Sequence, residues 1–246
     1  MPATIAAIAS ALGPLARRFD VDVLDTCAST NAELLVRAEA GAASGTVLVA
    51  NEQTAGRGRR GRSWIASPGD SLTFSLLWRF AAGTAPAGLS LAVGLAVARA
   101  LEKVPGGKQS AGAGDTALKW PNDLLRNRRK LGGILVELLP GAPHAAVIGI
   151  GINLHLPAAD ESALYAALLA ELRATLEQFA AAGFAALRDD WVARHAFQDA
   201  PVLLSADFAA PREGICRGVD TDGALLLETA AGIERVLSGE VSLRPS

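Results

Sequence analysis

The chain has 246 residues, of which 50% are hydrophobic and 20% are charged, and its formal net charge is −2. This composition indicates a compact protein of one large domain, or one domain with a small addition, and argues against a disordered chain. The near balance of charge excludes a global field that would recruit nucleic acid or an anionic membrane, so any anion site must be built locally.

The cysteines and the apolar segments indicate where the protein works. Its two cysteines, Cys27 and Cys216, lie far apart in the sequence, which suits free thiols in a reducing compartment. The first 20 residues lack the positive start of a secretory signal. Glycine and proline interrupt the uncharged stretch 80–98, so it predicts a buried helix over about 87–104 and not a membrane span. We therefore expect a cytoplasmic protein with no membrane partner.

The first part of the chain predicts a helix start and two strands. Ser29 is a candidate N-cap, because a serine side chain accepts hydrogen bonds from free N–H groups in the first helical turn. Residues 45–53 and 71–80 are rich in β-branched and aromatic residues, as is typical of strands. Between them lies a basic segment, residues 56–64 (GRGRRGRSW), which we call the arginine loop.

After the predicted helix, short segments predict further strands. They cover residues 116–120, 122–125 and 131–139, with a basic turn at 126–130. Residues 145–156 predict another strand, whose glycines sit where the backbone must approach a neighbouring group closely. Because helices do not alternate regularly with these strands, we expect a mixed α+β sheet and not a doubly wound parallel one.

The pattern changes in the last third of the chain. Apolar residues first recur at helical spacing in two successive segments. They are Leu164, Leu168, Leu172, Leu176 and Phe179, followed by Phe184, Leu187 and Trp191. From about Pro201 the predicted strands are short and closely spaced, with a hairpin signal at Asp222-Gly223, which suggests a small barrel. We predict a larger domain over 1–198 and a barrel domain over 199–246.

The arginine loop contains the pattern G-x-G-x-x-G of dinucleotide-binding turns, but its context is wrong. That site needs a helix after the glycines to hold the pyrophosphate, whereas this loop leads into a predicted strand. An RNA-binding patch has little support in a slightly acidic chain with few aromatic residues. A solvated turn would leave Arg57, Arg59, Arg60 and Arg62 repelling one another. A ligand-binding loop is favoured, because arginine suits phosphate and carboxylate oxygens.

A second basic cluster strengthens the case for an anionic ligand. The turn at 126–130 carries three arginines and Lys130, and it closely follows Asn122-Asp123. Two basic loops with one carboxylate are suited to a polyphosphate and its magnesium ion, which prefers oxygen ligands. The phosphate-binding pattern G-x-x-x-x-G-K-[ST] does not occur, so the sequence predicts nucleotide chemistry outside that class.

Five blocks of sequence occur in the order and spacing of one known family. They are STN (29–31), EQTAGRGRRGRSW (52–64), KWPNDLL (119–125), RKLGGILVEL (129–138) and GIGINL (149–154). Together they resemble the biotin protein ligases, also called biotin–acetyl-CoA-carboxylase ligases. The segments GVDTDGALLLE and GEVSLR resemble the C-terminal SH3-like barrel of that family. The resemblance implies an α+β fold: a class II synthetase-like mixed β-sheet catalytic domain flanked by helices, with the small barrel behind it.

The resemblance implies a two-step ligase reaction that uses biotin, ATP and Mg²⁺. Biotin and MgATP would give biotinyl-5′-AMP and pyrophosphate, and the adenylate would then acylate one lysine of a biotin carboxyl carrier domain. The biotin carboxylate is already a nucleophile, so the first step needs positioning and charge neutralisation and no general base. Lipoate–protein ligases are the alternative within the superfamily, and GRGRRGR with KWPND argues against them.

Matching positions carry the family's roles to this chain. The residues implied for biotin are Ser29, Thr30, Asn31, Gln53, Gly56, Arg57, Gly58, Arg59, Lys130, Gly133, Gly149 and Gly151. The residues implied for ATP are Arg59, Arg62, Lys119, Asn122, Asp123 and Asn153. Arg59, Lys130 and Asp123 would be catalytic: Lys130 would meet the biotin carboxylate, and Asp123 would face the magnesium ion.

Some positions carry a second interpretation. By residue type alone, Lys119 is a rival to Lys130 for the biotin carboxylate. Asp123 is a conceivable acceptor for the proton of the target lysine. Trp64 and Trp120 are interpreted as core aromatics in preference to adenine-stacking residues.

Two features depart from some relatives in the family. Some carry an N-terminal helix-turn-helix domain, and too few residues precede the first block here to form one, so we expect no DNA partner. The segment between residue 156 and the helix from Ser162 is short beside relatives that fold a long loop over adenine, and the sequence does not predict what covers the adenine. A homodimer through a sheet edge is expected from the family likeness alone.

Overall fold

The structure, a computed structural model, describes residues 3–65, 69, 71–103, 116–153, 161–206, 209–237 and 241–245. A larger sheet contains β1 (Asp20–Cys27), β2 (Thr46–Gln53), β3 (Ser71–Arg79), β4 (Ala117–Lys119), β5 (Asp123–Arg126), β6 (Arg129–Leu139) and β7 (Ala142–Asn153). A smaller sheet contains β8 (Pro201–Ala206), β9 (Ala209–Val219), β10 (Leu225–Thr229), β11 (Gly232–Val236) and β12 (Val241–Pro245). The helices are α1 (Ile5–Leu12), α2 (Thr30–Glu39), α3 (Leu89–Lys103), α4 (Glu161–Ala182) and α5 (Arg188–Val192).

The larger sheet has the strand order β1-β2-β3-β7-β6-β5-β4. Strands β1 and β2 are parallel, and every other described pair in this sheet is antiparallel. This is the mixed α+β sheet predicted from the sequence, and the arginine loop connects β2 to β3 as expected.

Helices cover the two faces of the larger sheet differently. Phe74 and Ile150 point to one face, where α3 and α4 complete the main hydrophobic core. Leu77 and Val147 point to the other face and pack against Leu34 of α2 in a separate, smaller cluster. Because α2 covers only part of the second face, the remainder of that face is left for the site described below.

The helix predictions are confirmed with one difference. The segment predicted over 87–104 is α3, and the apolar repeat from Ser162 is the buried side of α4. Helix α4 ends before Gly183, which has φ +68°, and the second apolar segment is not one continuous α-helix. A 3-10 turn over Phe184–Leu187 follows, and α5 is only five residues long. Helix α1 and strand β1 were not predicted.

The smaller sheet is antiparallel with the order β11-β10-β9-β8-β12. The predicted group of short C-terminal strands is thus present; within the residues described, β11 and β12 lie at opposite edges and do not pair, so the barrel is not closed. Its first strand begins at Pro201. The division into 1–198 and 199–246 stays a prediction.

A tight turn of the smaller sheet contacts the segment between β4 and β5 of the larger sheet. The predicted Asp222-Gly223 turn connects β9 to β10, and the carbonyl oxygen of Gly223 accepts a 3.1 Å hydrogen bond from Nε1 of buried Trp120. Gly223 has φ +84°, and a Cβ there would lie 2.9 Å from the Cα of Gly88. Only glycine therefore allows this close approach.

None of the helices described is long and apolar enough to span a membrane. Residues 154–160, on which the coverage of adenine was expected to depend, lie outside the described residues.

Candidate active site

A row of residues across five neighbouring strands forms the floor of the site. Thr73 of β3 pairs with Gly151 of β7, Gly151 with Gly133 of β6, Gly133 with Asp123 of β5, and Asp123 with Lys119 of β4. Directly paired residues on adjacent strands point their side chains to the same face. The two glycines therefore contribute no side chain to the middle of the row, and a carboxylate and an ammonium group stand at its end.

A β-bulge brings Lys130 to this same face. The pairing of β5 with β6 shifts between Leu124 and Leu125, which leaves Leu131 as the extra residue. Regular alternation along β6 would turn Lys130 toward the core, and the bulge reverses its direction. Lys130 Nζ thus lies 2.7 Å from Asp123 Oδ1, while Leu131 is buried in the core.

Asp123 is held between the two lysines that the sequence analysis treated as rivals. Its Oδ1 pairs with Lys130, and its Oδ2 lies 3.2 Å from Lys119 Nζ. A metal ion at this carboxylate would meet two ammonium groups, so the arrangement does not fit the predicted magnesium ligand. Across the described ranges, no three His, Cys, Asp or Glu side chains cluster as metal ligands would.

A buried network of neutral polar groups forms the opposite end of the site. Gln53 Oε1 accepts hydrogen bonds from the N–H of Thr30 at 2.7 Å and from its hydroxyl at 3.1 Å. The hydroxyl of Ser75 donates to Asn31 Oδ1 at 2.6 Å and lies 2.8 Å from Thr30 Oγ1. Ser29 caps α2 by accepting from the N–H of Ala32. The start of α2 is therefore fixed to β2 and β3.

Two glycines of β7 admit neighbouring side chains onto the sheet. A Cβ on Gly149 would lie 2.2 Å from Asn31 Oδ1, and one on Gly151 would lie 2.4 Å from the indole ring of Trp64. Real Cβ atoms do not approach other atoms so closely. These positions are glycine because Asn31 and Trp64 occupy the space above them.

The arginine loop folds back on itself over this floor. Gly58 N–H donates to the carbonyl of Arg62 at 2.7 Å, and Trp64 N–H donates to the carbonyl of Gly56 at 2.8 Å. Arg60 has φ +60° and Gly61 has φ +65°, which turns the chain at the tip. The loop is therefore a short hairpin, a conformation that the pattern of glycines and arginines did not predict.

Arginines of the loop contact the framework at two places. Arg57 Nη2 lies 3.2 Å from both carboxylate oxygens of Glu137 on β6. Arg59 Nη1 donates to Asn122 Oδ1 at 3.0 Å, and Asn122 Nδ2 in turn donates to the carbonyl of Ile134 at 2.8 Å. Burial lowers the pKa of the Arg59 guanidinium, and attraction to Asp123 opposes this change. Arg59 is still a cation at neutral pH.

These groups line one cavity of about 150 Å³. All the predicted site residues contribute to its lining except Gly56 and Asn153. Gly56 lines a wider cavity of about 1080 Å³ that shares the arginine loop with the first. Asn153 Nδ2 donates to the backbone carbonyl of Lys130 at 3.4 Å.

The family of the chain follows from its similarity to known proteins. Residues 25–153 match the Biotin/lipoate A/B protein ligase family, and residues 211–244 match the Biotin protein ligase C terminal domain. The bifunctional ligase/repressor BirA of Escherichia coli is 40% identical over 248 residues, covering 91% of this chain and 74% of that protein. The chain belongs to the biotin/lipoate A/B protein ligase family. It is a ligase, and the resemblance read from the five sequence blocks is confirmed.

Other known proteins are similar to this ligase over most of its chain. Biotin--[acetyl-CoA-carboxylase] ligase of Paracoccus denitrificans is 33% identical over 240 residues, covering 87% of this chain and 96% of that protein. Among solved structures, biotin protein ligase from Aquifex aeolicus in complex with biotin and ATP superposes with a TM-score of 0.78 and 28% identity, covering 92% of this chain and 99% of that one.

The structure adds residues to the ligase site that the sequence analysis missed. Ser75 is fully buried and directs Asn31, and Glu137 contacts both Asn31 and Arg57. Hydroxyl residues alternating with apolar ones in SLTFSLLW were a signal for Ser75. Trp64 was interpreted as a core aromatic, but it lines the cavity; Trp120 is fully buried as predicted and also contributes to the lining. Leu243 of the smaller sheet also lines the cavity, and no sequence signal marked it.

Proposed function

We propose that this ligase joins biotin to ATP, forming biotinyl-5′-AMP and pyrophosphate, and then transfers the biotinyl group to a lysine of a biotin carboxyl carrier protein. The observation that supports this most is that Arg59, Lys119 and Lys130, which come from separate segments of the chain, line one small cavity. Two anionic substrates that must react with each other need such a concentration of positive charge.

The two ends of the cavity suit the two ends of biotin. Thr30, Asn31 and Gln53 offer fixed neutral donors and acceptors, and such groups recognise an uncharged polar ring system without repelling it. Lys130 stands at the cationic end, where a carboxylate would be neutralised. The Aquifex aeolicus ligase binds both biotin and ATP, and its structure resembles this one over nearly all of its chain.

In the first step, a biotin carboxylate oxygen attacks the α-phosphorus of ATP, and the bond from that phosphorus to the pyrophosphate oxygen breaks. Lys130 is about half exposed, so it is able to leave Asp123 and follow the reacting carboxylate. Arg59 and Arg62 stabilise the charge that builds on the α-phosphate, and Asn122 keeps Arg59 directed into the site. Lys119 remains paired with Asp123. The magnesium ion enters with ATP as part of the substrate.

In the second step, the amine of the carrier lysine attacks the carbonyl of the adenylate, and AMP leaves as the amide bond forms. The amine must lose a proton. Both oxygens of Asp123 carry hydrogen bonds from lysine in the free protein, so Asp123 is able to accept a proton only after Lys130 has moved. We therefore propose that Asp123 positions Lys119 and Lys130 in the free protein, before any proton transfer.

Substrate binding requires the arginine loop to move. The cavity of about 150 Å³ is smaller than the roughly 300–1,000 Å³ typical of sites for drug-sized ligands. Arg57 and Arg59 bind the loop to Glu137 and Asn122, and displacement of the loop would join the small cavity to the wider one, which it also lines. The loop would then close again over the reactive adenylate.

Isotope exchange between ATP and pyrophosphate tests the proposal directly. We expect exchange that depends on biotin, with lipoate at the same concentration giving none. Exchange supported by lipoate alone would assign the enzyme to the lipoate branch. Transfer is tested separately, by mass spectrometry of a carrier domain before and after incubation with biotin and MgATP.

We propose a cytoplasmic location, which suits the two free thiols, Cys27 and Cys216. The homodimer through a sheet edge and the absence of a DNA partner stay predictions.

A further inference from the structure

Glu137 connects the biotin end of the cavity to the arginine loop. Its Oε2 accepts a 2.8 Å hydrogen bond from Asn31 Nδ2, and both of its carboxylate oxygens lie 3.2 Å from Arg57 Nη2. Glu137 is on β6, Asn31 is in the first turn of α2, and Arg57 is in the loop. One carboxylate therefore links three separate parts of the fold.

The Asn31 side of this link is rigid. Asn31 is 3% exposed, its Oδ1 accepts from the buried hydroxyl of Ser75, and its Nδ2 also donates to the carbonyl of Leu135 at 3.2 Å. Glu137 is thus oriented by the framework. The side chain of Arg57 is about half exposed and belongs to a surface loop, so it is the partner that is free to leave.

The two loop arginines fix the loop at different ends of the site. Arg57 is bound on the Asn31 side, and Arg59 is bound to Asn122 on the Asp123 side. The 2.7 Å hydrogen bond from Gly58 to Arg62 keeps the intervening chain folded. Losing the Glu137 contact should therefore open the biotin side of the loop and leave the Arg59 contact in place.

We propose that Glu137 is a positioning residue that holds the arginine loop closed through Arg57. Asn31 lines the cavity and donates a hydrogen bond to Glu137. A molecule that binds beside Asn31 therefore also stabilises the contact between Glu137 and Arg57. This second part rests on the proposed function, since it takes biotin as the molecule beside Asn31. The first part concerns the free protein and does not depend on it.

Limited trypsin digestion of the ligand-free protein tests the proposal, because the loop contains four arginines that become cleavable when it opens. A partly exposed ion pair contributes about 0.2–1 kcal/mol, so we expect Glu137→Gln to raise the cleavage rate within residues 57–62 about two- to fivefold. The matched control is Glu234→Gln, which removes a similarly exposed carboxylate paired with Arg212 in the smaller sheet. Equal loop cleavage in Glu137→Gln and wild type, with both folded, would overturn the proposal.

Kinetics separate a positioning role from a general loss of stability. In Glu137→Gln we expect the KM for biotin in pyrophosphate exchange to rise by a similar factor, with kcat and the melting temperature close to wild type. Arg57→Ala should give the same change, and the double variant should be no worse than either single variant. Additive effects of the two changes would also contradict the proposal. If the wild-type enzyme shows no exchange with biotin, the proposed function fails while the loop cleavage result still decides the role of Glu137.

Discussion

Lys130 reaches Asp123 because a β-bulge turns it away from the core, which leaves 2.7 Å between Lys130 Nζ and Asp123 Oδ1. Asp123 thereby holds the ammonium group of this lysine beside the cavity in the free protein. The bulge thus places the positive charge of Lys130 at this end of the site, next to that of Lys119.

Replacing Lys130 by alanine should weaken biotin binding. A charge-assisted hydrogen bond contributes about 1.5–3 kcal/mol, so we expect the Kd for biotin to rise roughly 10- to 150-fold by calorimetry. Arg128→Ala is the control, because it removes an exposed positive charge from the same hairpin. An unchanged Kd in Lys130→Ala would assign the biotin carboxylate to another residue, with Lys119 the next to test.

Replacing Asp123 by asparagine should slow adenylate formation, because Lys119 and Lys130 lose the carboxylate that places them. We expect kcat/KM for pyrophosphate exchange to fall at least about tenfold, as for the loss of one charge-assisted contact. The second measurement is the pH–rate profile of acyl transfer from preformed adenylate. A profile with the wild-type shape would show that Asp123 positions the lysines and does not accept the proton.

Replacing Arg59 by glycine should let adenylate escape before transfer. The change removes the hydrogen bond to Asn122 and a partly buried cation that would face the phosphate. We expect release to become about tenfold faster or more, since a charged hydrogen bond is lost. Biotin labelling of lysines on an unrelated bystander protein should rise accordingly. Bystander labelling no higher than with Arg128→Gly would count against this role, because Arg128 is exposed and lies outside the arginine loop.

Replacing Gly149 by alanine should disturb the biotin end of the site. The new Cβ would lie 2.2 Å from Asn31 Oδ1 and would displace that side chain from Ser75 and Glu137. Overpacking of this kind costs about 1–3 kcal/mol in stability, and we expect biotin affinity to fall as well. Gly133→Ala is the matched control, because its Cβ has no clash: its nearest neighbours are the flexible Lys130 side chain at 3.4 Å and Asp123 Oδ1 at 3.8 Å. Similar melting temperatures and affinities in both variants would contradict the explanation.

His195, whose side chain does not line the cavity, should make stability depend on pH. It packs against Trp191 and Phe197, and burial lowers its pKa from 6.5 to about 4. The unfolded chain therefore binds a proton below pH 6.5 that the folded protein excludes until about pH 4, so stability falls as the pH drops through this window.

We expect the free energy of unfolding to fall by about 2 kcal/mol between pH 7.5 and pH 5 from this histidine alone. Urea unfolding of wild type and His195→Phe at both pH values measures the difference. The variant should lose less stability over this interval, and parallel losses in the two proteins would remove His195 as the cause.

Much of the fold was predictable because local patterns and burial agree. The alternation in β3, the cap at Ser29 and the apolar repeat of α4 each reflect one element that buries one face. Two separate helical segments were predicted here, but the 3-10 turn was not, because Phe184 and Leu187 have the same apolar spacing in a 3-10 turn as in a helix. Strand β4 is only three residues long and is identified by its pairing with β5.

The parts of the site that depend on residue type alone were predictable from the sequence. The contacts that depend on how the strands pair were not. The arginines and glycines of the loop indicate an anionic ligand by residue type alone. The approach of Lys119 and Lys130 to one carboxylate depends on strand pairing and on the bulge, which short-range pattern does not determine. Glu137 looks like an ordinary exposed strand residue until Asn31 and Arg57, distant in sequence, are placed beside it.

The hydrogen bond from Trp120 to Gly223 ties the smaller sheet to the segment that carries Lys119 and Asp123. Rotation of that sheet as a separate lobe would strand a buried indole N–H without an acceptor, which is costly. This contact therefore opposes movement of the smaller sheet relative to that segment, whereas the proposed opening involves only the arginine loop.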